Sequence, residues 1–204
     1  IYDPDQGRYL VLWSDDRTGP WRLYGRFVDG DGTLLGASFG IADTDGPGGG
    51  RGPAPDVAYN PDDQEFLVVY TDGGDCYGWR LNAVTGASQG SVIDVMTSCS
   101  FPNIAYDPGA GVYLAAWTDD RVSSRIIQRD GTTEPAEVHS TLSYFSMKLD
   151  KVTATGRFLL MAVDGNYRPT AFFVNPQTGL LFGAPIVLPV DDPTANKEGH
   201  FLGF

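Results

Sequence analysis

The nine residues Tyr9 to Arg17, "YLVLWSDDR", return as "YLAAWTDDR" at Tyr113 to Arg121. Repetition of this kind restricts the chain to folds assembled from copies of one unit, with a period of about 45 residues. The best copies are "IYDPDQGRYLVLWSDD" from Ile1, "VAYNPDDQEFLVVYTD" from Val57 and "IAYDPGAGVYLAAWTDD" from Ile104, with Tyr2, Tyr59 and Tyr106 in register. A weaker fourth copy, "LDKVTATGRFLLMAVD" from Leu149, keeps the apolar strand and the closing Asp164. The segment "ANKEGHFLGF" from Ala195 looks like the start of a fifth.

Each unit carries a short strand such as "PDVAY", a longer one such as "EFLVVY", then a hairpin such as "YGWRL" with "GSVIDV", joined by Asn, Asp, Pro and Gly turns. Four strands per repeat is the composition of a β-propeller blade. The expected fold is therefore all-β, a β-propeller of four-stranded blades over residues 1–46, 53–99, 101–141 and 145–190, with a partial unit at 193–204. All belong to one domain. A β-sandwich is the alternative, but it gives no reason for the same aromatic-Ser/Thr-Asp ending in successive units. Trp21, Leu23, Gly25 and Phe27 alternate with Arg22, Tyr24 and Arg26, so a blade packed on both sides is expected to carry aromatics on both. Five second-strand motifs but only four complete hairpins leave two readings, a ring of four blades or an incomplete stretch of a larger one. The second is preferred.

The motifs "YDP", "YLVLWSDDR" and "LYGRFVDGDGTLLG" resemble propeller repeats common in secreted and surface proteins of bacteria. The resemblance is strongest up to Ile127 and implies fold and an extracellular or cell-surface location. It carries no catalytic residues, because a blade motif specifies no chemistry.

Net charge is −12, from 26 acidic and 14 basic residues, and the acids are 22 Asp against 4 Glu. Asp and Gly suit turns while Val, Tyr, Phe, Trp and Thr suit strands. The basic footprint that nucleic acid demands is missing. Apolar runs reach only about six residues, against roughly 20 for a membrane-spanning helix. The chain opens on Ile1 without a signal-like segment, which reads as a processed chain or a piece of a longer one. Cys76 and Cys99 bracket one hairpin, so a disulfide between them is expected, and with it an oxidising compartment.

Candidate ligand-binding residues lie where the long strand runs into its following loop: Trp13, Asp16, Tyr70, Asp72, Trp117 and Asp120. Aromatic faces and carboxylates on one rim suit a glycan or a protein partner. Against this, Asp15, Asp72 and Asp119 close equivalent strands, and a feature present in most blades is more economically read as a turn cap, with Arg17 and Arg121 pairing the neighbouring Asp. No cofactor is expected. Calcium is the metal that "DPDQG", "DGDG" and "DTDG" at Asp3, Asp29 and Asp43 would suit, but none supplies the twelfth-position Glu of an EF-hand loop. The stretch "SDDRTGPW" from Ser14 resembles the Asp-box of sialidase propellers, with Thr18 where that motif has Gly. "DGPGGGRGPAP" from Asp45 lacks the Lys-Ser/Thr of a phosphate loop and reads as an insertion.

The enzyme alternative is a glycoside hydrolase of the five-bladed kind, with carboxylates on the innermost strands flanking the scissile bond. Asp56 is its best candidate. Glu65 is expected in a turn, Glu134 and Glu137 in a hairpin and Glu198 in a degraded repeat, so no carboxylate pair emerges. Neither His139 nor His200 stands beside a Ser or Cys in a nucleophile motif. The preferred function is a non-catalytic extracellular module for binding or assembly, with a glycan or protein partner.

Overall fold

The computed structural model describes residues 1–17, 19–44, 52–118 and 120–189. The proposed partial unit at 193–204, Asp119 and the core of the glycine-rich stretch lie outside the described residues. Sixteen strands form four antiparallel sheets, each of four strands taken in chain order. The first holds β1 (Tyr2–Asp3), β2 (Arg8–Asp15), β3 (Arg22–Asp29) and β4 (Leu34–Asp43). The second holds β5 (Asp56–Asn60), β6 (Glu65–Asp72), β7 (Asp75–Asn82) and β8 (Ser88–Met96). The third holds β9 (Ser100–Asp107), β10 (Val112–Thr118), β11 (Val122–Gln128) and β12 (Glu137–Ser140). The fourth holds β13 (Tyr144–Val152), β14 (Arg157–Asp164), β15 (Pro169–Val174) and β16 (Ile186–Val187). These are four blades, and the sandwich alternative falls away because no sheet takes strands from two repeats.

The repeat is visible in the pairing register. Tyr2 pairs Tyr9, Tyr59 pairs Phe66, Tyr106 pairs Tyr113 and Lys151 pairs Phe158, so the four long strands superpose at Tyr9, Phe66, Tyr113 and Phe158. Side chains alternate across a strand, and each long strand therefore has one face toward the preceding blade and one toward the next. Phe66, Val68 and Tyr70 pack against Leu10, Leu23, Phe27 and Ile41 of the first blade. Tyr113, Ala115 and Trp117 pack against Leu67, Val69 and Val95 of the second. Phe158, Leu160 and Ala162 pack against Leu114, Ala116 and Ile126 of the third. Each large side chain so buried contributes roughly 1.5–3 kcal/mol, and the three inter-blade cores hold the blades side by side.

Two glycines make room at the first of these cores. A Cβ on Gly25 would lie 2.8 Å from the Phe39 ring, and one on Gly86, whose φ is +74°, would lie 2.6 Å from it. Phe39 thus wedges between its own sheet and the outer turn of the second blade, where no side chain fits. At the other end of the blades, β9 packs beside both β5 and β13. First strands are therefore innermost, and the outer hairpins face outward.

Cys76 on β7 pairs in register with Met96 at the end of β8, and the returning chain brings Cys99 back to form the Cys76–Cys99 disulfide, with Cα atoms 5.5 Å apart. Cys99 also donates its N–H to the Gly74 carbonyl at 2.8 Å. The bridge is buried in the core between the second and third blades.

Candidate functional site

Innermost strands expose polar groups to whatever lies on the axis, and here they share a register. Asp56 pairs Val69, Asn103 pairs Ala116 and Lys148 pairs Met161. Each partner stands three residues past the superposed Phe66, Tyr113 and Phe158. Asp56, Asn103 and Lys148 are thus equivalent positions of successive blades, an acid, an amide and an amine on one level. They sit where the repeat writes "PDVAY", "PNIAY" and "MKLDK".

Asp56 Oδ2 accepts the Ile104 N–H of the next inner strand at 3.0 Å. Burial pushes the Asp56 carboxyl above its ordinary range, while the Ile104 N–H and the Lys148 ammonium hold it back. Asn103 is buried and donates Nδ2–H to the Phe101 carbonyl at 3.1 Å. Asp56, Tyr59, Ile104, Tyr106, Lys148 and Asp150 line a cavity of about 260 Å³ at the convergence of the inner strands. A deep carboxylate, an exposed ammonium and tyrosine rings make a pocket able to orient a small polar molecule by opposite charges at its two sides. Lys151 also lines this cavity, with its ammonium committed to a buried ion pair with Asp107.

The rim residues expected to bind ligand do not form one site. Trp117 is 0% exposed and Tyr70 4%, both in inter-blade cores, so neither can meet a ligand at the surface. The reason is periodicity: they lie on the same strand face as Tyr113 and Ala115, and Phe66 and Val68. Burial also pushes the Tyr70 phenol up to about 12, with Asp72 and then Tyr77 adding to the effect. Trp13 is half-buried and stacks on Tyr24 at 5.8 Å; the two line an open pocket with Asp15, Arg17 and Ser38. Asp16 and Asp120 are exposed and Asp72 half-buried.

The loop carboxylates mostly serve the turns. Asp15 accepts the Arg17 N–H at 2.9 Å and its guanidinium, which hold the Asp15 carboxyl down to about 2. Asp164, its equivalent in the fourth blade, accepts N–H groups of Asn166 and Arg168 at 2.9 Å and pairs the Arg168 side chain. The stretches considered for calcium behave alike: Asp3 accepts the N–H groups of Asp5 and Gln6, Asp29 that of Gly30, and Asp43 pairs Arg22. Among the described residues no group of three or more His, Cys, Asp or Glu side chains is placed to hold a metal ion.

The expected placement of Glu65 is corrected. Glu65 lies not in a turn but at the start of β6, 0% exposed, paired with Arg80 at 2.8 Å and accepting the Tyr113 hydroxyl at 3.2 Å. His139, which belongs to no nucleophile motif, is brought by the pairing of β12 with β11 to Nε2 2.6 Å from Ser124 Oγ. Burial lowers the imidazole to about 4, so it is neutral at pH 7. Ser124 is fully buried, which bars a substrate carbonyl and makes the pair a structural hydrogen bond.

No protein-family model matches the chain, and no curated protein matches it in sequence. Solved structures do match its shape. A chain of the nidogen/laminin complex aligns with TM-score 0.55 at 14% identity, over 91% of this chain and 63% of that one. TolB from Acinetobacter baumannii aligns with TM-score 0.56 at 12% identity, over 86% of this chain and 40% of that one. The native arabinanase of Bacillus subtilis aligns with TM-score 0.53 at 11% identity, over 88% of this chain and 72% of that one. The chain thus spans less than two thirds of the first two. At these identities the likeness is one of fold, and with the four-sheet topology it makes the chain a β-propeller protein.

Proposed function

We propose that the chain is a non-catalytic, extracellular binding module whose ligand site is the axial cavity, and that a glycan is its ligand. The observation that carries this reading is that Asp56 and Lys148, at equivalent inner-strand positions of the second and fourth blades, line one cavity with a carboxylate and an ammonium. A carboxylate and an ammonium across a cavity of about 260 Å³ accept and donate to sugar hydroxyls, and the half-buried Tyr59 ring beside them offers an apolar face. The buried disulfide favours an oxidising compartment.

A glycoside hydrolase is the second reading, favoured by the raised Asp56 carboxyl, which would suit a general acid. Such hydrolysis needs a second carboxylate across the scissile bond. At the equivalent inner positions the next blades offer Asn103 and Lys148, and the other carboxylate on the cavity is the exposed Asp150 of β13. A glycan array probed with the protein, followed by product analysis of each hit, separates the two. Binding with intact saccharide supports the module; shorter saccharides released at a rate that Asp56→Asn abolishes would replace it with the hydrolase.

A further inference from the structure

Among the described residues, one sheet face has the composition of an inter-blade core and no blade against it. On β2, Tyr9 is 44% and Val11 45% exposed, whereas the equivalent Phe66 and Val68, and Tyr113 and Ala115, are all 0% exposed. Beside them on the same face stand Trp13 and, across the ladder, Tyr24 and Val28. The aromatic pairs within this face copy those of the covered ones. Tyr2 and Tyr9 have ring centroids 4.9 Å apart, against 5.2 Å for Tyr59 and Phe66 and 4.7 Å for Tyr106 and Tyr113. Trp13 and Tyr24 stand 5.8 Å apart across the ladder, where Tyr70 and Tyr77 stand 6.1 Å apart with their rings tilted.

A second, polar observation says what the face is shaped to receive. The Tyr59 hydroxyl donates to Asp5 of the preceding blade at 2.6 Å, and the Tyr106 hydroxyl to Asp62 at 2.7 Å. Each acceptor stands three residues after the tyrosine of its own inner strand. Tyr2 holds the same register and is 46% exposed. The fourth blade cannot serve it, since Ala154 stands three residues after Lys151. A second copy of these residues would present the same alanine.

We propose that this face seats one further blade of the same repeat, carried by the intact protein, with an aspartate three residues after its inner-strand tyrosine and aliphatic side chains at the places of Leu10, Leu12 and Leu23. The open pocket at Trp13 is then part of an inter-blade seam and not a ligand site. Hydroxyl-radical footprinting of the intact protein, with each rate normalised to the denatured chain, tests this. Tyr2, Tyr9 and Trp13 are expected to be protected as strongly as Tyr70 and Trp117, in a particle of one polypeptide. Reactivity equal to that of the exposed Phe101 and Phe182 overturns the proposal. So does protection that disappears on dilution together with a dimer mass, which would seat a second copy on the face instead.

Discussion

Burial works against the charged form of Asp56. Because its carboxyl is raised in the folded state, the charged form is disfavoured there, so stability is fullest below the unfolded value and falls as pH rises through the folded one. Asp56→Asn keeps an acceptor for the Ile104 N–H and removes the charge. Its thermal midpoint at pH 7 is expected to equal or exceed the parent's. His139 titrates with the opposite consequence. Its imidazole is depressed to about 4, so the unfolded chain takes up a proton that the folded one refuses. Stability is retained above the unfolded value near 6.5 and lost as pH falls toward 4. Thermal melts across this window should show a smaller acid loss for His139→Gln than for the parent. In the core, Trp117→Ala should cost about 3–5 kcal/mol by urea unfolding. Asp56 was legible as a candidate from its place in "PDVAY"; Asn103 and Lys148 were not, because they emerge only when the inner strands are aligned through their partners on the long strands. Trp117 looked like a rim residue since it stands near a loop, although the alternation from Tyr113 already assigned it to the core face.

At the scale of the element, the inner-strand tyrosines Tyr59 and Tyr106 each fasten their blade to the one before. The Tyr106 hydroxyl donates to Asp62, which also stands near Arg129, and Arg129 in turn binds Asp63. Losing that hydroxyl removes a charge-assisted bond at a partly exposed site. Tyr106→Phe is therefore expected to cost about 1 kcal/mol in denaturant unfolding, near the mean for a single hydrogen bond. In the fourth blade the same register position is Lys151, which reaches Asp107 instead. A change of side chain with the contact retained explains why this copy read as degraded while its strands form normally. The tyrosines at 2, 59 and 106 could be aligned from sequence, but not their acceptors, since Asp5, Asp62 and Asp107 look like ordinary turn residues until the blades are set side by side.

The described residues form four blades joined by three apolar seams, with a disulfide inside the middle one. A bridge closing a separation of 23 residues restrains the unfolded chain, worth about 3 kcal/mol in the chain-entropy model. Reduction should lower the urea midpoint accordingly, and alkylation without reductant should label no thiol. The four-strand unit and the hairpin that unites the cysteines followed from repeat and turn chemistry. The free face of the first blade did not, because Tyr9 and Val11 are written in the same code as their buried counterparts. This also bears on the ligand site. The most direct test is calorimetric titration of the best saccharide from the array into the parent, Lys148→Ala and Trp13→Ala. If the axial cavity is the site, Lys148→Ala loses most of the affinity and Trp13→Ala keeps it. Affinity lost with Trp13 and kept without Lys148 would contradict an axial site and return binding to the rim.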